Sequence, residues 1–380
     1  VHVILSLSGA HKKRGRLPQW TQSFLLAGAM SYPNLPRRKF LVGLGVSAAT
    51  AALLPPKVSG RSILSRVEPG AFNSSGPALL GSAEPALLYP PIDLSYFDTP
   101  VTPAPAEIQF GYAAITWGGD DLQAIKDISS VGFKGIQLRA NILKGYGSRP
   151  AELKDLLAGN GLEFVALSSG AVHITPGKER DEILLHTQNA RFLKEAGGRY
   201  LQVTDAGRSG QKPPSSEDFK RLGNLLTEIG QRVTDIGVGL GYHNHMGSLG
   251  QGPNDVDKIM DEADQRYVRL ELDVAHYFAG GGNPVRAIRT YRDRLLFLHL
   301  KDVERVSTPG GYRFVELGRG QVDLPGVVSA LEQTRFRGWA VVELDSVPED
   351  KKSSGRTPKE CAIENRKYLE ERFGVKFQAP

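Results

Sequence analysis

The 380-residue chain has one cysteine, Cys361, and only three methionines and three tryptophans. A single thiol excludes an intrachain disulfide framework, so packing must hold the fold together. No Gly-x-Gly-x-x-Gly follows the first apolar run, where Phe110-Gly111-Tyr112 leads to Trp117-Gly118-Gly119-Asp120-Asp121, and this argues against a dinucleotide fold. A Gly-x-Ser-x-Gly elbow and a phosphate loop are missing too. Excess charge is also lacking where a polyanion would need it. The formal charge is +6, but ten of the 47 basic and only four of the 41 acidic side chains fall in residues 1–105, which leaves 37 of each sign in the remainder. A formally neutral body opposes binding that depends on neutralising phosphates, and no nucleic-acid partner is expected. What the chain does have is 40% hydrophobic side chains, 43 glycines and 24 prolines, enough for a large core with many loops.

The front of the chain reads as an address. Arg37-Arg38-Lys39-Phe40-Leu41 precedes an uncharged run over 42–54 that Pro55-Pro56 closes. The run is too short to cross a bilayer comfortably, so no stable membrane span is expected. The basic pair, the modest apolar stretch and the small-residue site Ala49-Thr50-Ala51 together resemble a twin-arginine export signal. Met30 lies just upstream and is a candidate start, so 1–54 is read as an over-extended start followed by a signal. Residues 55–105 are rich in Pro, Gly, Ser and Ala without a persistent period and read as a linker. The resemblance implies export of folded protein through the twin-arginine machinery, to the periplasm or beyond the cell.

From residue 106 to 380 short β-branched runs alternate with longer amphipathic stretches, the pattern of βα units. Strands are expected at 108–115, 135–138, 163–168, 200–204, 238–242, 269–273, 295–300 and 340–344. Helices are expected at 122–131, 179–196, 216–236, 255–263, 285–291, 324–333 and 358–373. Ser216, Asn254 and Asn283 stand where helix caps belong, the last of them before Pro284 at a first-turn position. Eight units in this length match an α/β fold of the single (β/α)8 barrel type, with a doubly wound open sheet as the competitor.

The last four strands end on polar side chains: His243-Asn244-His245, Asp273-Val274-Ala275-His276, His299-Leu300-Lys301-Asp302, and Glu343-Leu344-Asp345. A barrel would bring these ends together at one mouth, where His243, Asp273, His299 and Glu343 would converge as mixed nitrogen and oxygen ligands. Such a set suits one divalent ion of Mn, Co, Zn or Fe better than Ca.

At this point the residues resemble the xylose-isomerase-like TIM barrels, which include sugar-phosphate isomerases and epimerases, ketose 3-epimerases, inosose dehydratases and endonuclease IV. The markers are Leu272-Asp273-Val274-Ala275-His276 with Ala279-Gly280-Gly281, then His299-Leu300-Lys301-Asp302, Leu317-Gly318-Arg319-Gly320-Gln321-Val322-Asp323, and Gly338-Trp339-Ala340-Val341-Val342-Glu343-Leu344-Asp345. The resemblance covers 108–374 and implies a single-metal site in which Asp273, His299 and Glu343 match the expected ligands. His243 stands where a Glu is common. The stretch Tyr242-His243-Asn244-His245-Met246-Gly247-Ser248 instead looks like the Tyr-His-His-His-Met-Gly-Thr segment of inosose dehydratases.

The expected activity is therefore a metal-dependent sugar isomerase or epimerase that moves a proton beside a polarised carbonyl, with Glu343 or His243 as base. An inosose-dehydratase-like lyase on a cyclitol or keto-sugar and a non-catalytic carbohydrate-binding barrel are the alternatives. Substrate contacts are expected from His245, His276, Lys301, Trp117 and Gln202. Each also has a bland explanation: hydrogen bonding behind the ligands for the two histidines, a rim pair with Asp302 for Lys301, and packing for Trp117. His173, His186 and Cys361 are read as structural. The partner is a small sugar or cyclitol, and a homo-oligomer is left open.

Overall fold

A computed structural model describes residues 104–206, 213–307, 311–349 and 355–377. The expected signal at 1–54 and nearly all of the linker at 55–105 lie outside the described residues. Eight strands close into a parallel barrel: β1 (Glu107–Ala113), β2 (Gly135–Arg139), β3 (Glu163–Val172), β4 (Tyr200–Asp205), β5 (Gly239–His243), β6 (Val268–Asp273), β7 (Leu295–Leu300) and β10 (Arg337–Val342). β8 (Asp302–Arg305) and β9 (Tyr312–Val315) form a separate antiparallel hairpin. Closure joins β1 to β10, with Glu107 opposite Arg337 and Tyr112 opposite Val342. The open-sheet alternative is thereby excluded.

The helices form where apolar residues recur at helical spacing. α5 (Ser216–Asp235) buries Phe219, Leu222, Leu226, Ile229 and Val233 against the sheet, a single stripe at three- and four-residue intervals. The other long helices are α1 (Asp121–Val131), α4 (Glu179–Glu195), α6 (Pro253–Glu262), α9 (Leu324–Gln333) and α10 (Pro358–Phe373). Three helices have no counterpart in the expected set: α2 (Leu143–Tyr146), α3 (Pro150–Gly159) and α7 (Val274–Ala279). α8 (Pro284–Thr290) is capped by Asn283 as expected. The cap of α5 is Ser215 rather than Ser216, in a box with Asp218. That of α6 is Gly252 rather than Asn254, because Pro253 takes the first turn. Among the described residues no helix is long and apolar enough to cross a membrane.

Inside the barrel the strands alternate between lumen and helix layer. Trp339, Phe297 and Val165 pack as an apolar floor, with Tyr200 stacked on Phe297 at 5.4 Å between ring centroids. Gly135 leaves the room this floor needs, since a Cβ there would lie 2.3 Å from the Trp339 ring. The polar residues that follow at steps of two along the same strands must therefore stand above the floor, toward the C-terminal mouth.

Candidate active site

His243 ends β5 and Asp273 ends β6, His299 lies one residue from the end of β7, and Glu343 follows β10 directly. Asp273 is fixed twice. Its Oδ1 accepts the backbone N–H groups of Ala275 and His276 at 2.8 and 2.7 Å, which starts α7, and Asn244 brackets its backbone by accepting from Asp273 N at 3.0 Å and donating to Asp273 O at 3.2 Å. The other oxygen, Oδ2, is buried without a hydrogen bond. His299 Nε2–H donates to Gln137 Oε1 at 2.9 Å, and Gln137 Nε2 donates in turn to Gln202 Oε1 at 3.1 Å. This chain turns Nδ1 toward the acids, 3.1 Å from Glu343, 3.3 Å from Glu271 and 3.6 Å from Asp273.

Donor atoms of Asp273, His299 and Glu343 all lie within 4.8 Å of one another. The sequence expectation of four convergent ligands takes a different form here. His243 falls in two other groups of the same tightness, one with Glu271 and His299 and one with His245 and His276. Buried Asp273 Oδ2, His299 Nδ1, His243 Nδ1 and both Glu271 oxygens make no hydrogen bond, although their nearest approaches include 2.6 Å between His243 Nδ1 and Glu271 Oε2. Polar atoms this close and this poorly aligned are arranged as donors around a cation. The residues present thus fit a divalent metal.

Lys301 is fully buried, and its Nζ lies 2.9 Å from Glu343 Oε2, 2.6 Å from Asp345 Oδ1, 3.5 Å from Asp273 Oδ2 and 3.3 Å from His276 Nε2. The expected rim pair with Asp302 is not formed. Asp302 faces away and accepts backbone N–H groups from Val303, Gly318, Gly320 and Val322. The Phe314 ring of β9 covers the ammonium at 4.0 Å.

Electrostatics divide the site. Burial works against charge on Lys301, but Asp345, Glu343 and Asp273 outweigh it and hold the ammonium protonated. Burial would raise the Glu343 carboxyl, yet the charges of His299 and Lys301 take it well below the ordinary carboxylate range. Asp345 moves the other way, because burial and the neighbouring Glu343 outweigh Lys301. His245 drops to about 4 through burial and repulsion from His243 and Lys301. His276 falls well below its usual value, chiefly by burial, against the pull of Asp273.

A cavity of about 140 Å³ opens above these groups. His243, His245, Glu343 and Asp345 line it, with Gln137, Arg139, Ser168, Gln202 and Thr204. Gln202 and His245 are thus placed where substrate contacts were expected. His276 and Lys301 do not line this cavity. Trp117 is turned away, since its Nε1–H donates to Asp127 at 2.9 Å and its ring packs edge-on against Tyr112. It is a packing residue. Gln137, Arg139, Asn244 and Glu271 were not among the sequence candidates. For Glu271 the signal was present: in Leu270-Glu271-Leu272-Asp273 the strand period puts Glu271 on the face of Asp273.

A closed parallel barrel with a mixed nitrogen and oxygen donor set at its C-terminal mouth defines the class, TIM-barrel proteins with a candidate metal centre. The chain belongs to the xylose isomerase-like TIM barrel family, whose model matches residues 125–372. An inosose dehydratase of Clostridium botulinum (strain Alaska E43 / Type E3) is 27% identical over 304 residues, covering 71% of this chain and 98% of that relative. Among solved structures, an IolI protein with a bound zinc atom aligns with TM-score 0.59 at 19% identity, over 69% of this chain and 97% of that one. A 3-keto-D-glucoside 4-epimerase, YcjR, from E. coli aligns with TM-score 0.55 at 18% identity, over 70% and 100%. These two structures share the fold, and the fold alone does not choose a reaction.

Proposed function

We propose that the chain is a divalent-metal-dependent carbon–oxygen lyase that removes water from a cyclitol or keto-sugar. The observation that carries this reading is the pairing of two carboxyls across one ammonium: Lys301 Nζ lies 2.9 Å from Glu343 Oε2 and 2.6 Å from Asp345 Oδ1, and the site lowers the Glu343 pKa while it raises that of Asp345. Elimination of a β-hydroxyl needs a base and an acid, and these two groups supply both. The inosose dehydratase relatives support the same choice over the isomerase or epimerase expected first.

Asp273, His299 and Glu343, flanked by His243, would hold the metal, which when bound would polarise the substrate carbonyl and lower the cost of negative charge beside it. Glu343, kept ionised by the Lys301 ammonium 2.9 Å away, takes the proton next to the carbonyl, and the freed electron pair becomes the carbon–carbon double bond as the β-hydroxyl departs. Asp345, with its raised affinity for a proton, gives that proton to the hydroxyl, which leaves as water. Two carboxyls pushed in opposite directions, joined through Lys301, suit the roles of base and acid. Arg139, Gln202 and Gln137 hold the remaining hydroxyls. Metal-loaded protein incubated with 2-keto-inositol is expected to develop the ultraviolet absorbance of an enone, and Asp345→Asn to lower that rate about 100-fold or more with metal content unchanged. A product that keeps all its oxygens with one inverted centre would instead establish an epimerase.

A further inference from the structure

Glu271 is fully buried and sits on β6 with Phe297 beside it on β7. Gly241 on β5 makes room for it, since a Cβ there would lie 3.1 Å from that of Glu271. Neither of its oxygens makes a hydrogen bond. Its polar neighbours are His243 Nδ1 at 2.6 Å and His299 Nδ1 at 3.3 Å. Lys301 does not serve it, being engaged with Asp273, Glu343 and Asp345. A fully buried carboxylate without a compensating cation costs several kcal/mol, so the question is what charge belongs there.

A proton on His299 Nδ1 is a poor answer. Three carboxylates, Glu271, Asp273 and Glu343, surround that one nitrogen at 3.1–3.6 Å, and a single N–H can bond well to only one of them. The other ring nitrogen already donates to Gln137, which leaves Nδ1 a lone pair for a metal. We propose that Glu271 is itself a ligand of the divalent cation, supplying from β6 the carboxylate that β5 lacks because position 243 is His. The proposal rests on the metal reading above and extends it to a residue outside the triad of Asp273, His299 and Glu343.

The test is metal binding without substrate. Protein stripped with a chelator is titrated with Mn(II) by calorimetry, as the original chain and as Glu271→Gln, and each is melted with and without the ion. Glu271→Gln is expected to weaken Mn(II) binding at least 10-fold and to lose most of the metal-induced rise in melting temperature. Binding within about 2-fold of the original would overturn the assignment. If Glu271→Gln fails to fold, anomalous scattering from Mn(II)-soaked crystals of the unaltered chain decides: an ion about 2.2 Å from a Glu271 oxygen supports it, and an ion held by Asp273, His299 and Glu343 with Glu271 out of reach refutes it. Absence of Mn(II) binding by the original chain would sink the metal reading as well, an outcome distinct from equal binding by both.

Discussion

Burial takes the Lys301 ammonium out of water completely, and the carboxylates of Glu343 and Asp273 at 2.9 and 3.5 Å offset that cost, with Asp345 Oδ1 accepting at 2.6 Å. Replacing the ammonium by a neutral side chain of similar length leaves these acids without their counter-charge. Lys301→Met is expected to destabilise the ion-free protein by about 3–5 kcal/mol, with much of the loss recovered on adding Mn(II), which takes over the neutralisation. Denaturant unfolding with and without the ion measures both, and an unchanged midpoint for the ion-free variant would contradict this account. The sequence showed that Lys301 was polar at a strand end, but not whom it meets. Alternation sends 301 into the lumen and 302 outward, so the neighbour in sequence is the wrong partner. Glu271 was overlooked although the same alternation places it on the side of Asp273. Which lumen residues touch across the barrel depends on the stagger of the strands, and a single strand's pattern does not contain it.

At the scale of elements, β3 runs four residues past its expected end because its outer face is tied to α4. Ser169 Oγ lies 2.6 Å from His186 Nδ1 and accepts from Asn189 Nδ2 at 2.9 Å, while Glu182 accepts from His173 N at 3.2 Å and lies 3.5 Å from His186 Nε2. The structural reading of His173 and His186 agrees with these contacts, and the loop expected around His173 is shortened by them. Burial would raise the Glu182 carboxyl, but the bonds to His186 and His173 outweigh it and lower its pKa. A carboxyl depressed in the folded state stabilises the protein above its unfolded value of about 4.3, and the contribution disappears as pH falls through the folded value. Glu182→Gln is thus expected to cost about 1–2 kcal/mol at pH 7 and progressively less below pH of about 4. Urea unfolding at pH 7 and pH 3 would argue against the network if the gap were the same at both. Long periodic helices were legible in the sequence because one apolar stripe declares them. α7 was not, because its six residues depend on Asp273 as cap, and the β8–β9 hairpin was not, although its Phe314 lies over Lys301 and His276.

At the scale of the whole molecule, the charge imbalance and the barrel belong to different stretches of chain. The basic excess lies in residues 1–105 and the remainder is formally neutral, so the overall basic character belongs to those residues. A site built from buried carboxylates and imidazoles on four strands exists only after the barrel has closed. We propose that Arg37 and Arg38 direct export of the folded, metal-loaded barrel by the twin-arginine route, which carries proteins already folded. Conservative exchange of both, Arg37→Lys with Arg38→Lys, keeps the charge and removes the guanidinium pair. The double variant is expected to accumulate in the cytoplasm with the same metal content and melting temperature as the original, while the original appears in the periplasm or medium. Cell fractionation with metal analysis of each fraction makes the comparison. Equal export of the two would remove the twin-arginine assignment and leave the barrel's chemistry untouched.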